Sequence, residues 1–203
     1  MFIEQVPGFV RKLYPKALWR MNADEKAVYL TFDDGPIPIV TPWVIDLLGQ
    51  YHIKATFFMV GDNVRKHPKE YMQVVEAGHR VGNHTFNHLK GLFTDTDEYL
   101  GNVEKADALI HSNLFRPPHG LLRHSQYKQL CRHYQFVMWD LVTRDYSRRL
   151  QGEGVLANVK RLVRNGSIIT FHDSLRSEEN LKYALPRSIE WLLEQGYEFK
   201  VFE

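Results

Sequence analysis

Short apolar runs alternate with longer stretches of helical spacing along this chain. "VYLTF" (28–32) and "ATFFMV" (55–60) read as buried strands. "HRVGNHT", "NLFRPP", "FVMWDL", "SIITFHD" and "EFKVF" continue the series. Between them lie helical patterns. "TPWVIDLLGQY" starts with Thr41 as N-cap and Pro42 at the first helical position. "HPKEYMQVVEAGH" is opened by Pro68 and closed by Gly78. A longer helix is expected from about Asp95, paired with Glu98 as a capping box, to about Ser112. "HSQYKQLCRHY", "GVLANVKRLVRNG" (ended by Gly166) and "PRSIEWLLEQGY" complete the set. Strand–helix alternation of this kind predicts an α/β fold with a parallel sheet, open or closed into a barrel. Residues 1–26 break the pattern, and "VPGFVRKLYPKALW" predicts a short helix packed on the outside.

The totals narrow the reading. A chain of 203 residues with 44% hydrophobic content supports one domain spanning 1–203, with 1–26 as an N-terminal packing segment. A net charge of +2 without a basic run gives no footprint for nucleic acid. A lone cysteine, Cys131, leaves no internal disulfide and no thiolate cluster for a metal. Charges and prolines interrupt the first 26 residues, so no signal peptide or membrane span is expected there, and the location expected is cytoplasmic.

Chemistry collects where the strands end. In parallel α/β architectures, reactive side chains gather at the C-terminal ends of the strands. Asp33 and Asp34 end the first strand, and His84 and His88 follow the third. Arg116 ends the fourth, Asp145 follows the fifth, and His172 ends the sixth. Two adjacent carboxylates need a cation or a proton against them. The H-x-x-x-H spacing, read as a helical turn, puts both imidazoles on one side. With Asp34 they form a set suited to zinc or a similar ion with an open position. Such an ion lowers the pKa of bound water to about 7 and polarises a carbonyl. Asp33 is then free to act as general base, with Arg116 against it. His172 would serve as general acid, and Asp145 would fix its tautomer.

These residues, in this order, resemble the NodB-homology polysaccharide deacetylases, carbohydrate esterase family 4, over about residues 27–203. "TFDDG" is similar to the first family motif, and "HTFNH" to its metal-binding motif. "RPPHG", "TRDY" and "ITFHD" resemble the third, fourth and fifth. The resemblance implies a distorted (β/α)7-type barrel and hydrolysis of N-acetyl groups from an amino-sugar poly- or oligosaccharide. It implies Asp33 as base, Asp34, His84 and His88 as ligands of one divalent ion, and Arg116 contacting the base. Asp145 then orients the acid His172. Zinc is the ion expected, with nickel or cobalt as alternatives.

Departures from the family pattern concern the walls of the site. His119 stands where the family usually has Tyr; the backbone N–H there helps hold the oxyanion, beside Gly120. Tyr146 replaces a Trp and Thr170 a Leu, both implied to line the acetyl pocket. Val142 stands where many relatives have Asp. The expected partner is an acetylated carbohydrate. An O-acetyl esterase or another amide hydrolase on the same scaffold, and a catalytically silent carbohydrate-binding relative, are the alternatives.

Overall fold

The computed structural model describes residues 4–202. Its centre is strand β1, Ala27–Asp33, buried along its whole length. A strand covered on both faces is apolar throughout rather than alternating, as "AVYLTF" is. Around it stand β2 (Thr56–Met59), β3 (Arg80–Asn83), β4 (Leu114–Phe115), β5 (Gln135–Phe136), β6 (Leu141–Val142), β7 (Ser167–His172) and β8 (Glu198–Phe199). The strands form a parallel sheet in the order β5-β4-β3-β2-β1-β7-β6, and β8 pairs with the start of β1. The rings of Phe32, Phe57 and Phe171 stack across three neighbouring strands, with centroids 4.9 and 6.2 Å apart.

Helices wrap the sheet: α1 (Gly8–Arg11), α2 (Val40–Gln50), α3 (Gly61–Lys66), α4 (Pro68–Glu76), α5 (Thr96–Ile110), α6 (His124–Leu130), α7 (Gly152–Leu162) and α8 (Glu178–Glu194). Among the described residues, none is long and apolar enough to cross a membrane.

Several elements differ from the pattern expected. "FVMWDL" is not one strand. The chain leaves β4's edge after Phe136 and joins β7's edge at Leu141. The carbonyls of Val137 and Met138 between them accept from Arg116 instead, at 2.9 and 2.8 Å. Helix α2 starts at Val40, so Thr41 lies inside its first turn rather than at the N-cap. The Thr41 hydroxyl instead accepts from the Ile37 N–H and donates to Asp173. Asp95 does cap α5, accepting from the Asp97 N–H, but Glu98 completes no capping box. Helix α3 gave no separate signal, and α8 begins well before Pro186, which it contains.

The N-terminal segment does more than pack outside. Leu18 bridges to Val137, and Arg20 to Ser167. The segment therefore bridges the free margin of β5 to the start of β7, across the opening of the curled sheet. Arg11 pairs with the buried Asp140 at 3.0 Å and ties this strap to the body of the fold, where Arg164 meets the same carboxylate at 2.5 Å.

Candidate active site

Asp33 and Asp34 part company at the end of β1. Asp33 still holds strand register opposite Phe58 and His172. Asp34 turns out of the strand with φ 82°, so the two carboxylates meet different partners. Asp33 Oδ1 accepts from Arg116 Nη1 at 2.6 Å. The Arg116 side chain is fully buried, and its other donors reach Thr31, Thr170 and the carbonyls of Val137 and Met138. A buried guanidinium with every edge hydrogen-bonded is rigid, and it fixes the carboxylate it faces.

Asp34 faces imidazoles. His88 Nε2 lies 3.2 Å from its Oδ1 and His84 Nε2 lies 3.8 Å away. "HTFNH" is not a helical turn. It is a loop in which Thr85 and His88 take left-handed φ angles of 63° and 54°. Asn83 Oδ1 accepts the Thr85 N–H and Thr85 Oγ1 accepts the Leu89 N–H, holding that shape. The Arg116 carbonyl lies 2.7 Å from His84 Nδ1, which places the proton on that nitrogen and leaves Nε2 with its lone pair.

One donor atom from each of Asp34, His84 and His88 lies within 4.8 Å of the others. Asp34 Oδ1 is buried and makes no hydrogen bond among the described residues. An orphaned carboxylate oxygen beside two imidazole nitrogens fits a cation better than it fits an apolar void. Burial pushes the His84 pKa down to about 4, so the ring is neutral and able to ligate. Burial alone would raise the Asp34 carboxyl. The contact with His88 and the charge of His172 outweigh it and hold Asp34 well below the usual range.

His172 ends β7 on the same side of the barrel. Its Nδ1 lies 2.8 Å from Asp145 Oδ1, and its own N–H donates to Asp145 Oδ2 at 2.7 Å. Two contacts from one carboxylate fix both the ring and the backbone. Burial alone would lower the imidazole's pKa; the Asp145 charge and hydrogen bond raise it to about 9. Tyr146 stands edge-on to the His172 ring, centroids 4.8 Å apart. His119 stands edge-on to His88 at 4.9 Å. His119 has φ 60°, and its N–H makes no hydrogen bond among the described residues.

Two expected positions stand elsewhere. Thr170 is buried, with its hydroxyl between Thr31 Oγ1 and Arg116 Nη1 at 3.0 and 3.1 Å. It reaches the site through Arg116 and does not wall an open pocket. The Gly120 N–H donates to the Pro117 carbonyl, so it is not offered to a ligand. Glycine is needed there because a Cβ would collide with the Trp139 ring. Val142 is buried on β6.

Three residues had no weight in the sequence reading. Asp173, directly after His172, is fully buried and accepts from the Gly35 N–H and the Thr41 hydroxyl. Asn63 donates to the Asp34 carbonyl at 2.7 Å. Thr41 reads in the sequence only as a helix cap. The available signal was the pair "HD" at a strand end, where a second buried carboxylate needs partners.

The model of the polysaccharide deacetylase family matches residues 20–138. A peptidoglycan-N-acetylglucosamine deacetylase of Bacillus cereus is 34% identical over 190 residues, covering 89% of this chain and 88% of that protein. A second, longer Bacillus cereus protein of the same description is 32% identical, and the match spans 56% of its length. Among solved structures, the Bc1960 peptidoglycan N-acetylglucosamine deacetylase, in complex with an N-oxidanyl-benzamide, superposes with a TM-score of 0.89 at 27% identity. That match covers 97% of this chain and 95% of the other. A CE4 family pseudoenzyme from Bacillus anthracis, BA3943, has a TM-score of 0.81 at 26% identity, covering 89% of this chain and 65% of its own. A shared fold therefore extends to a protein described as inactive, and activity has to be argued from side chains.

Proposed function

The chain belongs to the polysaccharide deacetylase family, and on that premise we propose that it is a metal-dependent hydrolase releasing acetate from an N-acetylated amino-sugar poly- or oligosaccharide. The observation that carries this reading is the separation of the two adjacent carboxylates. Asp33 is held by Arg116, while Asp34 turns to His84 and His88. One anion is thereby free for proton transfer and the other for a cation.

Asp34, His84 and His88 would hold the ion, with zinc the best match to two imidazoles and one carboxylate. When bound, a divalent ion supplies a Lewis acid that polarises the amide carbonyl and acidifies water. Asp33 takes the proton from the attacking water as general base. Arg116 keeps that carboxylate pointed at the reaction centre through the 2.6 Å contact. The His119 N–H, unpartnered and turned by a left-handed φ, is the backbone donor for the developing oxyanion. As the C–N bond breaks, His172 gives its proton to the leaving amine from Nε2, since Asp145 occupies Nδ1. A pKa of about 9 keeps that proton in place at neutral pH. Tyr146 packs on the same imidazole and limits its rotation.

The two Bacillus cereus relatives carry the name of peptidoglycan-N-acetylglucosamine deacetylase, which makes peptidoglycan fragments the first substrates to try. Acetate release should be measured from these, from chitin oligomers and from acetylated xylan, with and without added zinc. Zinc-dependent release from an N-acetyl substrate is the result expected. Release from xylan alone would mark an O-acetyl esterase, and no release at all would mark a silent relative.

A further inference from the structure

Half of the exposed large apolar side chains among the described residues stand on loops that follow the C-terminal ends of strands. These are Ile39 after β1, Leu92 and Phe93 after β3, Leu121 after β4 and Leu175 after β7. Single exposed apolar residues mean little, but clusters mark binding sites. Three of these residues are neighbours. Leu92, Phe93 and Leu121, with Pro118, His119 and Lys90, line one groove of about 240 Å³. Phe93 is 79% exposed, which leaves most of a large hydrocarbon side chain in water. His119 belongs both to this groove and to the active site, where it touches His88. The groove is thus continuous with the place where the amide would be cut.

The other flank has the opposite chemistry. A groove of about 300 Å³ runs past Asp34 and His88 and is lined by Asp62, Asn63, Asn87 and Val60. Amide and carboxylate side chains suit the hydroxyls of a sugar. Leu92 and Leu121 do not. They offer no hydrogen bonds, and they are branched aliphatic groups rather than the flat aromatic faces on which sugar rings stack. A bare sugar chain lying across both grooves would leave its hydroxyls unpaired on one side, at a cost of order 1–3 kcal/mol for each buried group.

We propose that the substrate is amphiphilic: the N-acetylated saccharide of the function proposed above, carrying an apolar aglycone of alkyl type. The sugar lies along Asp62, Asn63 and Asn87, and the alkyl chain lies in the groove of Leu92, Phe93 and Leu121. The assignment of the sugar rests on the deacetylase reading. The affinity of the groove for an alkyl chain does not depend on turnover, so the two can fail separately.

The test uses the zinc-loaded full chain with methyl, hexyl and octyl β-glycosides of N-acetylglucosamine and with chitotetraose. KM should fall about tenfold from methyl to octyl, equivalent to about 1.4 kcal/mol, with kcat little changed. Phe93→Ser and Leu121→Ser should remove that dependence and leave the methyl glycoside unaffected. KM values independent of chain length would overturn the proposal. So would a Phe93→Ser variant that weakens chitotetraose as much as the octyl glycoside, because Phe93 would then be a sugar platform. Calorimetry with octyl β-glucoside, which has no acetamide, covers the case in which no acetate is released. Binding lost in Phe93→Ser would keep the groove and reject the deacetylase. Absence of binding by the wild type would reject the groove.

Discussion

Asp173 Oδ1 accepts the Gly35 N–H at 3.1 Å, so a carboxyl group just past the end of β7 holds the turn that follows Asp33 and Asp34. Its Oδ2 takes the Thr41 hydroxyl at 2.5 Å, and its own N–H donates to the Asp33 carbonyl. The same short segment thus carries the acid His172 and the clamp on the base. Gly35 is the only residue that fits, because a Cβ there would collide with the Asp173 carboxyl group.

Asp173→Asn keeps one oxygen for Gly35 but sets an amide against Thr41. The turn should loosen, and metal affinity and kcat should both fall, by about 10–100-fold as for outer partners of a metal site. Zinc titration and acetate release check this. Unchanged zinc affinity in a folded variant would leave Asp173 no positioning role.

The proton carriers separate from the metal ligands. Asp33→Asn retains shape and loses basicity, so kcat should drop by about a hundredfold or more while zinc stays bound. His84→Ala should lower the zinc content itself. Elemental analysis of both variants beside the wild type distinguishes these outcomes; equal zinc in His84→Ala and wild type would reassign the ligand.

Arg116 carries a stability prediction. Arg116→Met leaves Asp33 as a buried charge without its partner, and losing one member of such a pair costs about 3–5 kcal/mol. The Val137 and Met138 carbonyls also lose their donors. Urea unfolding should show a large shift in midpoint, with Arg116→Lys intermediate because an ammonium cannot reach all five acceptors.

His172 sets a pH dependence whose sign follows from its raised pKa. A group that binds its proton more tightly when folded stabilises fully below its unfolded pKa of about 6.5. That stabilisation is lost as pH rises through about 9. Burial also lifts the Asp173 carboxyl to about 8, against hydrogen bonds from Thr41 and Gly35. Its part of the loss begins lower, above the ordinary carboxylate value of about 4. Metal-free protein should therefore melt at a lower temperature at pH 9 than at pH 6. Asp145→Asn should flatten the upper part of that fall and bring the alkaline limb of kcat down toward neutrality. A limb that does not move would remove His172 from the acid role.

His119 tests whether the main chain or the side chain acts. If the backbone N–H is the oxyanion donor, His119→Tyr should stay within about tenfold of wild-type activity. Collapse of that variant, with loss of one limb of the pH–rate profile, would give the imidazole a chemical part.

Local chemistry made much of this protein legible in its sequence. Apolar runs long enough only for strands, alternating with helical spacing, dictate a parallel α/β sheet whatever the loops do. That sheet gathers Asp33, His84, Arg116, Asp145 and His172 at one end, because every parallel strand delivers its C-terminus to the same side. Tertiary structure decided what spacing cannot encode. H-x-x-x-H fits a helical turn as well as a loop, and only the bonds of Asn83 and Thr85 select the loop. "FVMWDL" reads as one strand, yet the buried guanidinium of Arg116 takes the carbonyls that a strand would need. Thr41 has the side chain of a cap, but Asp173, 132 positions away, claims its hydroxyl. Thr170 reads as a wall and is drawn instead to Arg116. In each case a buried polar group far along the chain had to be satisfied, and a distant partner's demand leaves no trace in local pattern.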